Sequence, residues 1–362
     1  VVSALRRGCR AVAIFLLVVV LAVAAAGAMV YVRFERFQNT AIPNLAEGQT
    51  LQVQRGDSFA RVLRRLREAG IDVGYDLEWQ LLARQMDVAA RLKVGEYPLT
   101  PGTSPRALLQ RMRDGKVLQY RFTIVEGWNI RQLRAALAKA TPLVHRSDAL
   151  DDAALMQALG APGQHPEGRF LPQTYVYIRG DTDLEVLGQA HAAMQKALAE
   201  VWAQRAPELP IATPEQALIL ASIIEKETGI AQERPQIAGV FARRLKIGMP
   251  LQTDPTVIYG MGSAYDGNIR RRDLTTDTPY NTYTRAGLTP TPIAMPGVDA
   301  LKAAVNPAPG DALFFVALGD GSGRHVFSAS LSEHNAAVAR YLRNLRRPPL
   351  PEEAPVPEAA PR

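Results

Sequence analysis

The 362-residue chain has one cysteine, Cys9, and only five histidines. A single cysteine excludes an intrachain disulfide, a Cys-x-x-Cys redox pair and a cysteine-based zinc site. Its setting, Arg7-Gly8-Cys9-Arg10, does not resemble a lipoprotein cleavage site. His145, His165, His191, His325 and His334 show no paired-ligand spacing of the His-Glu-x-x-His kind, so no metal is expected. A Walker-type glycine loop is also missing, and the glycine-rich stretch 319–323 reads as a hairpin turn instead. The formal net charge is +7, but no helix-turn-helix, zinc pattern or basic–aromatic motif accompanies it. Nucleic acid is therefore not an expected partner. An anionic polymer or lipid surface fits the charge equally well.

The chain does possess one long uncharged apolar run, residues 11–32. A spanning helix needs about 20 such residues. Arg6, Arg7 and Arg10 precede it and favour an N-terminus left in the cytoplasm. Small-residue sites at Ala22-Val23-Ala24 and Ala26-Gly27-Ala28 offer a cleavable signal peptide as the competing reading. The run exceeds the ~7–15 apolar residues of a signal segment, which favours a retained anchor. The expected layout is a cytoplasmic N-terminus (1–10), a transmembrane helix (11–32) and a polar linker (33–49). The remaining length allows about two domains outside the membrane. The proline-, glutamate- and alanine-rich residues 347–362 are expected to be disordered.

A small α/β module is expected over 50–118. Leu51–Val53 reads as a strand, and Ser58 caps a helix over 59–69. A second helix is expected over 77–85, a strand at Gly95–Leu99, and a Ser104-capped helix through Met112. The larger part, 119–346, is expected to be mixed α+β. It starts with a strand over 121–126, then a helix over 132–139 and a long helix over 184–205. A hairpin is expected over 312–328, followed by a final helix capped by Ser332.

The densest information lies between Ala217 and Gly260. Thr213 and Pro214 are N-cap and first-turn residues, followed by an apolar run through Ile224, so the helix should be buried. It ends in Glu225-Lys226-Glu227-Thr228-Gly229, with Gly229 the expected terminator. Helical steps from positions 220, 223 and 224 all reach Glu227, whereas Glu225 falls roughly 160° away. A carboxyl group held by an apolar wall has a raised pKa, which suits proton donation near neutrality. The plainer reading of this charged triplet is a solvated helix end. A second amphipathic helix is expected over 232–245. Leu251-Gln252-Thr253-Asp254-Pro255-Thr256 then crowds amide, hydroxyl and carboxylate groups into a proline-broken segment of the kind that lines clefts.

These segments (ASIIEKET, ARRLKIGMPLQTDPTVIYGMG and the later YNTYTRAGLTPTPIA) closely resemble the YceG-like (MltG) family of endolytic murein transglycosylases. The resemblance extends from the apolar run to about residue 345. It implies a single-pass inner-membrane protein whose catalytic domain lies in the periplasm, with a LysM-like module before that domain, read either as a glycan binder or as a spacer that holds the catalytic domain off the membrane. It implies Glu227 as the catalytic acid/base, the residue the helical face also selects, with Glu225 in reserve. Gln252, Thr253, Asp254, Tyr259, Asn281 and Tyr283 are the expected substrate-binding residues. Peptidoglycan glycan strands and penicillin-binding synthases are the implied partners, and no cofactor is expected. Gln173 stands where the family usually carries Asp. Two rival functions remain: a two-carboxylate muramidase using Glu225 or Asp254, and a non-catalytic wall-binding scaffold.

Overall fold

A computed structural model of the protein describes residues 2–345, with side chains from residue 11 onward. The expected disordered tail, 347–362, lies outside the described residues. So do the side chains of the N-terminal arginines and Cys9. The chain divides into two compact units. One runs through Arg121 and adds Thr141–Val144 and Val176–Asp181; the other takes Phe122–Ala140, His145–Tyr175 and the described residues from Thr182 onward.

The first unit begins with helix α1 (Val2–Asn39), of which Ala11–Asn39 is apolar and long enough to cross a membrane. Strand β1 (Thr50–Val53), helices α2 (Phe59–Glu68), α3 (Asp76–Gln85) and α4 (Val88–Arg91), strand β2 (Gly95–Pro98) and helix α5 (Pro105–Asp114) follow. β1 and β2 pair antiparallel, with Thr50 opposite Pro98 and Val53 opposite Gly95. Ser58 and Ser104 cap α2 and α5 as their positions before each apolar run require. Trp79, Tyr97, Leu66, Leu82, Leu108 and Met112 fill the core.

The linker expected over 33–49 starts later than the sequence suggested. Arg33, Glu35 and Arg36 read as the end of a membrane helix, yet α1 continues through Asn39. Phe37 supplies the reason: it is buried and meets Trp79 edge-on, with centroids 5.3 Å apart. A core contact outweighs the polar residues around it.

Strand β3 (Gln119–Thr123) pairs with β4 (Thr174–Ile178), a strand the sequence reading did not anticipate. Between them lie α6 (Ile130–Leu137) and α7 (Asp152–Ala158). The second unit continues with α8 (Asp183–Ala203), α9 (Pro214–Glu227), a short 3-10 turn at Ala231–Glu233, α10 (Arg234–Lys246) and α11 (Asp254–Met261). Helices α12 (Arg271–Thr275) and α13 (Val298–Val305), the antiparallel hairpin β5 (Phe314–Ala317) and β6 (His325–Ser328), and α14 (Leu331–Leu345) complete it.

Helix α9 is the axis of this unit. Every residue from Ala217 to Ile224 is buried, packed among α8, α10 and α13. The single polar residue of that run, Ser222, donates to Ile219 O at 2.7 Å. Its oxygen also accepts from Ile293 N at 3.0 Å, which ties the 292–295 loop to the rod. Two helix ends differ from expectation. Gly229 does not terminate α9; the helix stops at Glu227 because Thr228 turns extended, φ −145°. The last helix starts at Leu331 rather than beyond Ser332, and Ser330 accepts from Glu333 N at 3.3 Å.

Candidate active site

Glu227 is the last residue of α9, so the buried rod delivers its side chain directly into a pocket of about 420 Å³. Gln252, Thr253, Asp254 and Tyr283 line the same pocket. The hydroxyl of Thr253 donates to Oε1 of Glu227. Burial pushes the Glu227 carboxyl up to about 7. The Thr253 hydrogen bond and the Arg244 charge pull against that rise, and the negative charge of Asp254 adds to it.

The 251–256 segment is not irregular throughout, because Asp254-Pro255 opens helix α11. Thr253, its N-cap, is fixed from both sides. Its N–H donates to the Thr282 hydroxyl at 3.1 Å, and its carbonyl accepts from the Thr256 hydroxyl at 2.8 Å. Gln252 holds a left-handed φ of 50°, which a non-glycine residue adopts at a cost of roughly 1–3 kcal/mol. The hydroxyl cluster over-determines that conformation and keeps Thr253 on the acid.

Tyr283 reaches the pocket and donates its hydroxyl to Oδ1 of Asp254 at 2.6 Å. Burial first, and then the Asp254 carboxylate, hold its phenol protonated well above the ordinary range. Asn281 supports it from outside. Its Nδ2 donates to the carbonyls of Asp273, Leu274 and Thr276 at 3.2, 3.1 and 2.7 Å, and its Oδ1 accepts from Tyr283 N at 2.9 Å. It shapes the loop and does not line the pocket.

Tyr259 also lies elsewhere. Its ring meets Tyr280 at 4.9 Å, and its hydroxyl interacts with Glu167. Glu167 is fully buried, and burial raises its carboxyl to about 7, opposed by hydrogen bonds from the N–H of Ile130 and Gly168. It accepts from Ile130 N at 3.0 and 3.1 Å, at the start of α6, and serves as an interior helix cap.

Glu225 points away from Glu227, as the helical angle requires, and its side chain is 5% exposed. Its Oε2 accepts from Gly297 N at 2.9 Å, the N-cap of α13, and its Oε1 lies 3.4 Å from Arg234. It does not line the pocket. Gln173 is exposed and does not line it either.

Sequence reasoning missed the remaining walls. Arg244 on α10 is 6% exposed. It donates from Nε to Leu313 O at 2.7 Å and from Nη1 to Pro250 O and Leu251 O at 3.2 and 2.8 Å. Its guanidinium also sits 5.2 Å from the Phe314 ring. Phe314, Phe315 and Val316 of β5 and His334 of α14 close the pocket. The His334 ring stacks on Phe314 at 5.1 Å. No local pattern marks these residues: Arg244 belongs to an Arg-Arg-Leu-Lys helix end that reads as solvated surface.

The raised carboxyl has a sign that can be checked. A carboxyl whose folded pKa exceeds its unfolded value is protonated in the folded state while ionised in the unfolded one. Wild type therefore loses stability relative to Glu227→Gln as pH rises from about 4.5 to 7, by up to about 3 kcal/mol. Thermal unfolding of both proteins across pH 4–8 measures that difference. A flat difference would mean the group titrates normally.

The second unit is thus a mixed α+β body built around one buried helix that presents an elevated-pKa acid to a polar cleft, a site suited to acid–base chemistry on an uncharged bond. The model of the YceG-like family matches residues 51–340, and the chain belongs to that family. A protein of Bacillus subtilis named endolytic murein transglycosylase is 34% identical over 271 residues, covering 70% of this chain and 74% of its own length. The protein of that name from Streptococcus pneumoniae is 27% identical over 326 residues. The match covers 81% of this chain but only 58% of the pneumococcal one. A crystal structure of a YceG-like protein from Listeria monocytogenes is similar with a TM-score of 0.52 and 26% identity, covering 80% of this chain and 99% of that one.

Proposed function

We propose that this chain is an endolytic lytic transglycosylase that cuts peptidoglycan glycan strands between N-acetylmuramic acid and N-acetylglucosamine. The observation that carries the proposal is Glu227, an acid with its pKa near 7 at the end of a buried helix in a polar pocket. The similarity to proteins named endolytic murein transglycosylase supplies the substrate class.

The reaction needs one such acid. Glu227 gives its proton to the bridging oxygen as the bond to C1 of the muramic sugar breaks. Asp254, beside it, stabilises the positive charge that develops on the ring. Glu227, now a carboxylate, takes the proton from the muramic 6-hydroxyl, whose oxygen closes onto C1 as a 1,6-anhydro ring. No water is consumed. Thr253 holds the acid's orientation, and Tyr283 and Gln252 offer hydrogen bonds to sugar hydroxyls. Phe314, Phe315 and Val316 form an apolar wall beside these groups.

The membrane reading belongs to the same proposal: α1 is retained as a single inner-membrane anchor, with the rest of the first unit and the second unit on the periplasmic side. The 50–118 segment then acts as a LysM-like wall-binding module, and cleavage near penicillin-binding synthases ends strand elongation.

Asp254 in the same pocket favours one second reading, a muramidase that uses Asp254 as base or nucleophile and consumes water. Mass spectrometry of the products released from purified peptidoglycan separates the two. Anhydromuramic ends are expected. Reducing ends would establish the hydrolase, and unchanged strand lengths would leave a binding scaffold.

A further inference from the structure

Where α1 leaves its apolar run, α1 and α3 enclose a groove of about 670 Å³ that the chemistry above does not use. One wall is the last apolar turns of α1, with Val30 and Tyr31; the other is the outer face of α3, with Tyr75, Leu77 and Leu81. These side chains are open: Tyr75 and Leu77 are each 65% exposed and Leu81 47%. The opposite face of α3, with Trp79, Leu82 and Ala83, is already core. The other exposed positions of α3 (Asp76, Arg84 and Gln85) are polar, so Tyr75, Leu77 and Leu81 form an apolar strip along the side that faces the groove.

The junction is held firmly. Phe37 of α1 packs on Trp79, and a Cβ placed at Gly74 would come within 2.2 Å of the Phe37 ring, so the chain passes flush against it. Arg33 pairs with Glu78 at 3.1 Å and lies 4.3 Å over the Tyr75 ring, so the acid beside the groove is neutralised.

Depth along α1 identifies what covers the groove. At 1.5 Å per residue, Gly27 and Tyr31 lie roughly 24 and 30 Å beyond Ala11. A hydrocarbon layer is about 30 Å thick, so the groove sits at its boundary with the headgroups. Tyrosines and an arginine at that level match the side chains that occupy this boundary. We propose that the outer face of α3 is seated in the lipid surface, so that the groove takes the upper acyl chains of the leaflet where α1 emerges. This rests on the anchor reading above. It would clamp the first unit against the bilayer at two points rather than hang it from one helix.

The test uses the full chain with Cys9→Ser and single cysteines from Val20→Cys, Leu77→Cys or Leu81→Cys, each carrying an environment-sensitive NBD dye. The proteins are reconstituted in phosphatidylethanolamine–phosphatidylglycerol nanodiscs, with and without phospholipids bearing nitroxides at shallow and deep acyl positions. The expected result is at least a twofold loss of emission at positions 77 and 81 with the shallow quencher, and at 20 with the deep one. Quenching at 20 with none at 77 and 81 overturns the proposal and leaves the anchor standing; the face then awaits another protein's helix. Quenching at none of the three removes the anchor reading and the proposal with it.

Discussion

Glu227→Gln is expected to lower the rate of glycan cleavage about a thousandfold while leaving the protein folded. A positioned general acid contributes typically ~10²–10⁴-fold, and here the same group also accepts the second proton. Glutamine keeps the shape and can still accept from the Thr253 hydroxyl, so the substitution removes the proton and little else. Glu225→Gln is the matched control, two residues away on the same helix. Its side chain holds the Gly297 N–H and Arg234, not the pocket. It is expected to retain activity within about threefold and to lose about 2 kcal/mol of stability, the size of a charge-assisted hydrogen bond. Rates of anhydromuropeptide release and unfolding midpoints for both variants check the pair. If Glu225→Gln were the inactive one, the assignment of the acid would be reversed.

Arg244→Met is expected to be the most destabilising of the pocket substitutions, by about 3 kcal/mol. Three carbonyls, Leu313 O, Pro250 O and Leu251 O, lose their donor in a place water does not readily reach. A buried polar group left unsatisfied costs about 1–3 kcal/mol, and methionine recovers part of the packing against Phe314. The change also removes a cation that lowers the Glu227 pKa. The acid should then titrate above about 7, shifting the alkaline limb of the pH–rate profile upward. Denaturant unfolding measures the first effect and the pH profile the second. A profile that stayed in place would mean that Arg244 acts on the fold alone.

Local chemistry made much of this legible in the sequence. Thr213-Pro214 and Ser104 marked helix starts, the glycine-rich 319–323 segment marked a hairpin, and the apolar stripe of α9 pointed to Glu227. The prolines and hydroxyls at 251–256 marked the cleft wall. What stayed hidden depends on pairings between distant segments. Arg244 bonds to Leu313, 69 positions on, and His334 stacks on Phe314 across the hairpin. Asn281 and Tyr259 carry sugar-binding chemistry by residue type. Backbone carbonyls in one case, and a buried Glu167 in the other, take those groups instead. The end of α1 was misjudged for a related reason: only the three-dimensional partner of Phe37 shows why a helix should run past three charged residues.

The closing wall of the pocket comes from β5 and α14, residues at the far end of the chain, while the acid they enclose lies near position 227. Ribosomes make proteins from the N-terminus, so for a time the nascent chain carries Glu227 without Phe314, Phe315 or His334. Until the chain folds around it, that carboxyl is hydrated and ionised at neutral pH like any free glutamate. A product truncated before the hairpin keeps Glu227, Thr253 and Arg244 but lacks the wall that closes the pocket beside them.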